Sequence, residues 1–242
     1  ALLDLCRFST NENDDPISLS EYLEKMPETQ KDIYYISAET NAQALASPHL
    51  EGFKSKKVPV LIMTDAIDQF WLPMVGSFKE KKFTSITQGQ INLDELDAKN
   101  KDKKKDDNSE KEKQDKEYVD LVAQLKVVLG DQVKDIRLSS KLTDSPVCLV
   151  ADEGDMDIAM EQLMAQRDTN YKGAPRILEI NGDHSLIKNM KSLLSKKEDN
   201  DLVSDAGTLL FEQARLMEGK MPADPAQFSK IMNQFLLKAI PN

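Results

Sequence analysis

Residues 98 to 117, AKNKDKKKDDNSEKEKQDKE, constrain this chain more than any other stretch: eight lysines, seven acids and no apolar residue larger than alanine. Such a segment cannot bury enough surface to offset the entropy of ordering it inside a core. Its mixed charges suit a solvated helix held by i, i+4 pairs as well as a coil. In either form it is a charged connector between two cores, and 242 residues are enough for both. Its lysines do not make it a nucleic-acid site, because the interleaved acids nearly cancel them.

The whole chain carries a net charge of −10, which repels phosphates and argues against general affinity for nucleic acid or an anionic membrane. Cys6 and Cys148 are far apart with no CxxC pattern, and His49 and His184 lack a second ligand at metal spacing. Disulfide scaffold and zinc site are therefore both unsupported, and no metal or other cofactor is expected. No run approaches the roughly 18 to 20 apolar residues of a membrane span. The opening ALLDLCRFSTNEND has neither the basic flank nor the cleavage site of a signal peptide. A cytoplasmic or otherwise reducing location is expected. Because the chain opens without Met on what reads as a helix end, it is also expected to be part of a longer protein.

Before the connector, DIYYIS, VPVLIMTD and KKFTSIT are short β-branched and aromatic runs that predict strands. AETNAQALASPHLEGFKSKK lies between the first two, a helix interrupted at Pro48 that resumes from His49. AIDQFWLPMVGSF follows as a helix closed by Gly76. Strands alternating with helices predict a small α/β layer domain with parallel pairing over residues 1–97. Ser18 and Glu21 form a capping box that opens one more helix.

After it, YVDLVAQLKVVLG predicts an amphipathic helix burying Val119, Val122, Leu125, Val128 and Leu129, with Gly130 as its stop. VKDIRLSSKL and SPVCLVAD, separated by TDSP, suit an antiparallel hairpin. A methionine-bearing helix, the strand RILEIN and the helix HSLIKNMKSLL complete an α+β domain over 118–242. Two helices end it. The first carries Leu202, Ala206, Leu209, Leu210, Leu216 and Met217. The second opens with Asp224 as cap and Pro225 at its first turn, and carries Phe228, Ile231, Met232, Phe235 and Leu236.

Catalytic signatures are missing. The nine glycines form no phosphate loop, and there is no GxSxG or HExxH. GDHS sets Asp183 beside His184, but where a strand hands over to a helix, so Asp183 or Asn181 is read as a cap. Cys148 reads as a small buried hydrophobe. An enzyme acting on a small molecule would need a convergent polar pocket that is not visible. What remains is surface. GDMDIAMEQLMAQR places Met156, Met160, Leu163 and Met164 on one helical stripe, fit either for irregular core packing or for varied partners. The terminal helices have apolar faces wide enough to meet a second copy in a four-helix bundle, or to fold onto their own domain.

CRFST, IYYIS, SPHLEGFKSKKVPVLIMTDAID, VKDIRLSSKLTDSPVCLV, LEINGDHSLI and IMNQFLL, in that order from end to end, resemble the ninety-kilodalton heat-shock chaperones, specifically their bacterial high-temperature protein G type. The resemblance implies that 1–97 is the last, small α/β part of the family's middle domain and 118–242 its C-terminal dimerisation domain. It implies a homodimer that binds partly folded client proteins, driven by ATP and Mg bound in an N-terminal domain, so that this piece itself is not an ATPase. The ending LLKAIPN differs from the acidic peptide by which eukaryotic members dock helical-repeat cochaperones, and those partners are not expected. Carried onto this sequence, the client surfaces are Met156, Met160, Leu163 and Met164 on one helix and Phe70, Trp71 and Met74 on another; a client-binding role predicts exposed Met160 and Trp71, and the sequence leaves open which ring, Phe70 or Trp71, points outward. The dimer interface is the set on the two terminal helices. The alternative is a purely structural dimerisation module without client contact.

Overall fold

The structure is a computed structural model describing residues 3–12, 15–96, 104–168, 171, 173–196 and 200–240. It has two compact units of mixed helices and strands. The first comprises 1–104, 140–143 and 150–174, and the second 105–139, 144–149 and 175–242.

In the first unit the strands are β1 (Ser9–Thr10), β2 (Ile33–Ser37), β3 (Leu61–Met63), β4 (Ser77–Phe78) and β5 (Lys81–Ser85), ordered β1-β3-β2-β5-β4. The central strand β2 pairs in parallel with β3, Ile36 opposite Ile62, and with β5, Tyr35 opposite Ser85. This is the expected parallel layer. Both edges are antiparallel additions, β1 on β3 and β4 on β5. The β4–β5 turn puts Lys79 and Glu80 at φ 46° and 67°, left-handed backbone that glycine or asparagine usually supplies.

Alternation along β2 and β3 sends side chains to two cores. Tyr34, Ile36 and Ile62 meet Ala44 of α2 (Asn41–Leu45) and Phe53 of α3 (Glu51–Ser55). Ile33, Leu61 and Met63 meet Leu19 and Tyr22 of α1 (Leu19–Lys25) and Leu72 of α4 (Asp68–Val75). The Tyr22 hydroxyl donates to the Pro59 carbonyl at 2.7 Å and accepts from Gln30 Nε2 and the Tyr34 amide. Burial pushes that phenol's pKa up. The expected capping box at Ser18 and Glu21 is formed, and Gly76 closes α4 at φ 67°.

In the second unit α5 (Lys104–Leu129) runs from within the charged connector through the amphipathic segment, so the connector is helical from Lys104 on. Residues 98–103 lie outside the described residues. The buried positions of α5 are Tyr118, Leu121, Leu125 and Leu129, whereas Val119 is 55% exposed. This corrects the stripe read from the valines: Tyr118, with more apolar surface to bury, sets the helix rotation and turns its neighbour outward.

The strands β6 (Val133–Leu138), β7 (Val147–Val150) and β8 (Arg176–Ile180) are ordered β6-β8-β7. The expected β6–β7 hairpin is therefore not formed. β8, buried at all five positions, separates the two strands and pairs in parallel with β6. A strand buried on both faces gains most from the central place. Its Glu179 is only 2% exposed and is satisfied by Arg137 Nη2 at 2.7 Å and Ser139 Oγ at 2.9 Å, as a buried carboxylate requires. The core is completed by Ile187 and Met190 of α7 (Ser185–Ser195) and by Val203, Leu210 and Phe211 of α8 (Asn200–Met217). α9 (Pro225–Ala239) begins on the expected Asp224 cap, whose side chain accepts from the Ala226 and Gln227 amides.

Candidate functional site

In α4, Asp68 is 7% exposed, and its carboxylate accepts from Trp71 Nε1 at 2.7 Å and from the Asp65 amide at 3.2 Å. Burial raises its pKa despite these bonds. Trp71, held by that bond, packs edge-on against Phe83 at 5.6 Å and near Phe8. It is half-buried, which corrects the expectation of an exposed tryptophan. Phe70 is the exposed ring of the pair, and Met74 beyond it is 85% exposed. The exposed Ile67 and Val75 extend this surface; helical spacing alone does not mark them, because each adjoins a turn.

The methionine helix α6 (Ile158–Arg167) belongs to the first unit. Asp157 caps it, Oδ1 accepting from the Ala159 amide at 2.9 Å. Its Oδ2 accepts from Ser85 Oγ at 2.5 Å and Thr87 Oγ1 at 3.0 Å, at the end of β5. Just before it, the Ala151 amide donates to the Thr87 carbonyl and Gln88 Nε2 reaches the Asp155 carbonyl at 2.7 Å. The segment leading into α6 is thus attached to the sheet by side-chain and backbone bonds. Since the helix begins at Ile158, Met156 lies outside it, a correction to the four-residue stripe, and is 39% exposed. Met160, Leu163 and Met164 are half-buried, which corrects the expectation of an exposed Met160. Glu161, whose charge suggests a solvated face, is 4% exposed and accepts from the Ala174 amide.

On the terminal helices the candidate residues divide. Ala206, Leu210 and Ile231 are buried, and Leu202, Leu209, Phe228 and Phe235 are half-buried. Leu216, Met217, Met232 and Leu236 are exposed, together with Met221, Leu237 and Ile240. In α9 the positions 228, 231 and 235 face inward, whereas 232 and 236 face outward, one step around the same helix, with the exposed Ile240 just past its end.

Near GDHS the cap of α7 is His184, whose Nδ1 accepts from the Leu186 amide at 3.2 Å, rather than Asp183 or Asn181. Asn181 Oδ1 instead takes the Asp183 amide, and Asp183 pairs with Lys188. Cys148 is buried in β7, and both cysteines are free thiols. Among the described residues no cluster of His, Cys, Asp and Glu could hold a metal ion, and no helix is long and apolar enough to cross a membrane.

The family profile described as Hsp90 protein matches residues 1–241. The chain is 41% identical to the chaperone protein HtpG of Roseobacter denitrificans over 241 residues, covering 99% of this chain and 38% of that protein. It is 38% identical to the chaperone protein HtpG of Streptomyces coelicolor over 233 residues, 96% of this chain and 36% of that protein. With the protein of that name from Wolbachia pipientis the identity is 37% over 239 residues, covering 98% and 37%. The chain belongs to the Hsp90 family of heat-shock chaperones. It spans somewhat over a third of the length of these relatives.

Proposed function

We propose that this chain is the client-holding and self-associating part of an ATP-driven chaperone. Residues 1–97 are read as the end of its middle domain, 98–117 as the connector and 118–242 as its dimerisation domain. ATP and Mg²⁺ act in a region outside this chain. The observation that carries the reading is the exposed pair Met232 and Leu236 with Leu237 on α9 and Ile240 at its C-cap, next to the face on which Ile231 is buried. A contiguous apolar face of this kind favours a protein partner. A second copy would complete a four-helix bundle from α8 and α9 of each protomer.

Client contact is assigned to Phe70, Met74 and Met156, which are exposed, and to the partly covered Met160, Leu163 and Met164. Flexible methionine beside an aromatic ring adapts to varied apolar segments. Self-association is tested by light scattering over a concentration series, beside a chain carrying Leu236→Asp and Ile240→Asp. Both residues are exposed, so the fold should persist. The expected outcome is a dimer that becomes a monomer; equal mass in both chains overturns the assignment. Truncating at Asn200 is a poorer test, because Val203, Leu210 and Phe211 belong to the unit's own core. For client contact, Phe70→Ser with Met74→Ser and Met156→Ser should weaken protection of an aggregating protein at unchanged melting temperature. Full protection would favour a purely structural dimerisation module.

A further inference from the structure

β2 and β3 are parallel neighbours, and the chain leaves their C-terminal ends toward opposite faces of the sheet. After Ser37 it runs to α2 and α3, which pack with Tyr34 and Ile36; after Met63 it runs to α4, which packs with Ile33 and Leu61. Divergence of this kind opens a crevice at the strand ends, the customary place for a ligand in an α/β layer. Here the crevice measures about 150 Å³ and is walled by Ser37, Glu39 and Asp65 at the strand ends and by Gln162, Leu163 and Gln166 of α6.

Its chemistry is one-sided. None of its lining residues is basic, whereas Glu39 and Asp65 bring two exposed carboxylates. Glutamine carbonyls add further acceptors, and Met63, Ala66 and Leu163 supply apolar wall. The complement is a flat cation with several N–H donors on an aliphatic stem, which is an arginine side chain.

We propose that this crevice is a subsite for an arginine side chain flanked by apolar residues in an extended client segment. The proposal rests on the reading of α6 as client-contacting, since Leu163 belongs to both surfaces. It makes the client class apolar segments punctuated by arginine.

The test uses a fluorescent apolar nonapeptide with one central arginine and its counterpart with citrulline, neutral and of the same shape, titrated against the 242-residue chain by anisotropy. The arginine peptide should bind about 5- to 10-fold more tightly at low salt, a margin suited to exposed charge-assisted bonds, and the margin should shrink as salt is added. With Glu39→Gln and Asp65→Asn together the margin should fall below about twofold, the citrulline peptide binding as before. Equal affinities in the unaltered chain overturn the proposal and leave client contact standing. A margin that survives the double substitution places the recognition elsewhere and also overturns it. If neither peptide binds, both the subsite and the client assignment fail.

Discussion

The five-stranded sheet of the first unit is covered on both faces by short helices and divides its core into two apolar clusters. The three-stranded sheet of the second shares one cluster with α5, α7 and α8, and leaves an apolar row on the outside of α9. The contrast separates two ways of presenting apolar surface. In the first unit exposed Phe70, Met74 and Met156 stand near segments held by polar bonds, Asp68 to Trp71 and Asp157 to Ser85 and Thr87. In the second, exposure is what remains when a long helix has more apolar sides than its own unit can cover. A partner at α9 would therefore bury a preformed face, whereas a partner at α6 would meet a helix already half covered.

The single tryptophan, Trp71, lies in the first unit. Its fluorescence thus follows that unit, while far-ultraviolet circular dichroism follows both, and the two can be broken separately. The largest effect is expected from Leu125→Ala, which empties a position 1% exposed in the second unit's apolar cluster. It should cost about 2–5 kcal/mol, shifting the dichroism transition in urea while the Trp71 transition stays in place.

Gly52→Ala should do the reverse. An added Cβ would stand 2.6 Å from the Lys141 carbonyl oxygen and 2.6 Å from Leu93 Cδ1, and overpacking costs about 1–3 kcal/mol. That exceeds the roughly 1 kcal/mol an alanine gains in a helix. Gly207→Ala in α8 is the counterpart in the second unit: its Cβ would stand 2.4 Å from Cδ2 of Leu125, a side chain only 1% exposed. Overpacking of about 1–3 kcal/mol, offset by about 1 kcal/mol of helix propensity, should leave a net loss in the dichroism transition with the Trp71 transition in place.

Next comes Asp157→Ala, which removes the cap of α6 and the acceptor shared by Ser85 and Thr87. A local loss of about 1–2 kcal/mol is expected, read as faster amide exchange along α6 with little change in the Trp71 transition. Unaltered exchange would mean that apolar packing alone holds the helix, and would remove the contrast with α9.

Ser18→Ala should cost about 1 kcal/mol and change the acid limb of the first unit. The Ser18 amide and hydroxyl hold the Glu21 carboxyl below its ordinary 4.5. A carboxylate lowered in the folded state contributes stability above its unfolded value, and the contribution is lost as pH falls through the lowered one. Without the hydroxyl, the decline of the Trp71 transition below pH 4.5 should be shallower.

Local signals explain what was legible in the sequence. The Ser18 box, the Gly76 stop and the Asp224–Pro225 start each specify their neighbours through a few atoms, and each is found in place. Non-local pairing was less legible. Nothing in VKDIRLSSKLTDSPVCLV reveals that β8 takes the seat between β6 and β7, because that choice depends on a strand some thirty residues further on. The β4–β5 turn carries Lys79–Glu80 where a glycine or asparagine would have signalled it. At the candidate surfaces helical spacing located the helices but not their rotation. Val119 faces out, Glu161 faces in, and Phe70 rather than Trp71 is the exposed ring, each decided by bulky or hydrogen-bonded neighbours.

The course of the chain through its two units bears on how it is made. It leaves the first unit after Lys104, returns for 140–143, leaves again, and returns for 150–174. A ribosome releasing the chain from its N-terminus cannot finish the first unit before residue 174, by which time β6 and β7 exist and their central strand does not. Until that point both units are incomplete together, and each waits on sequence that follows part of the other. For the same reason one proteolytic cut between 105 and 174 would not free an intact unit; it would strip parts from both.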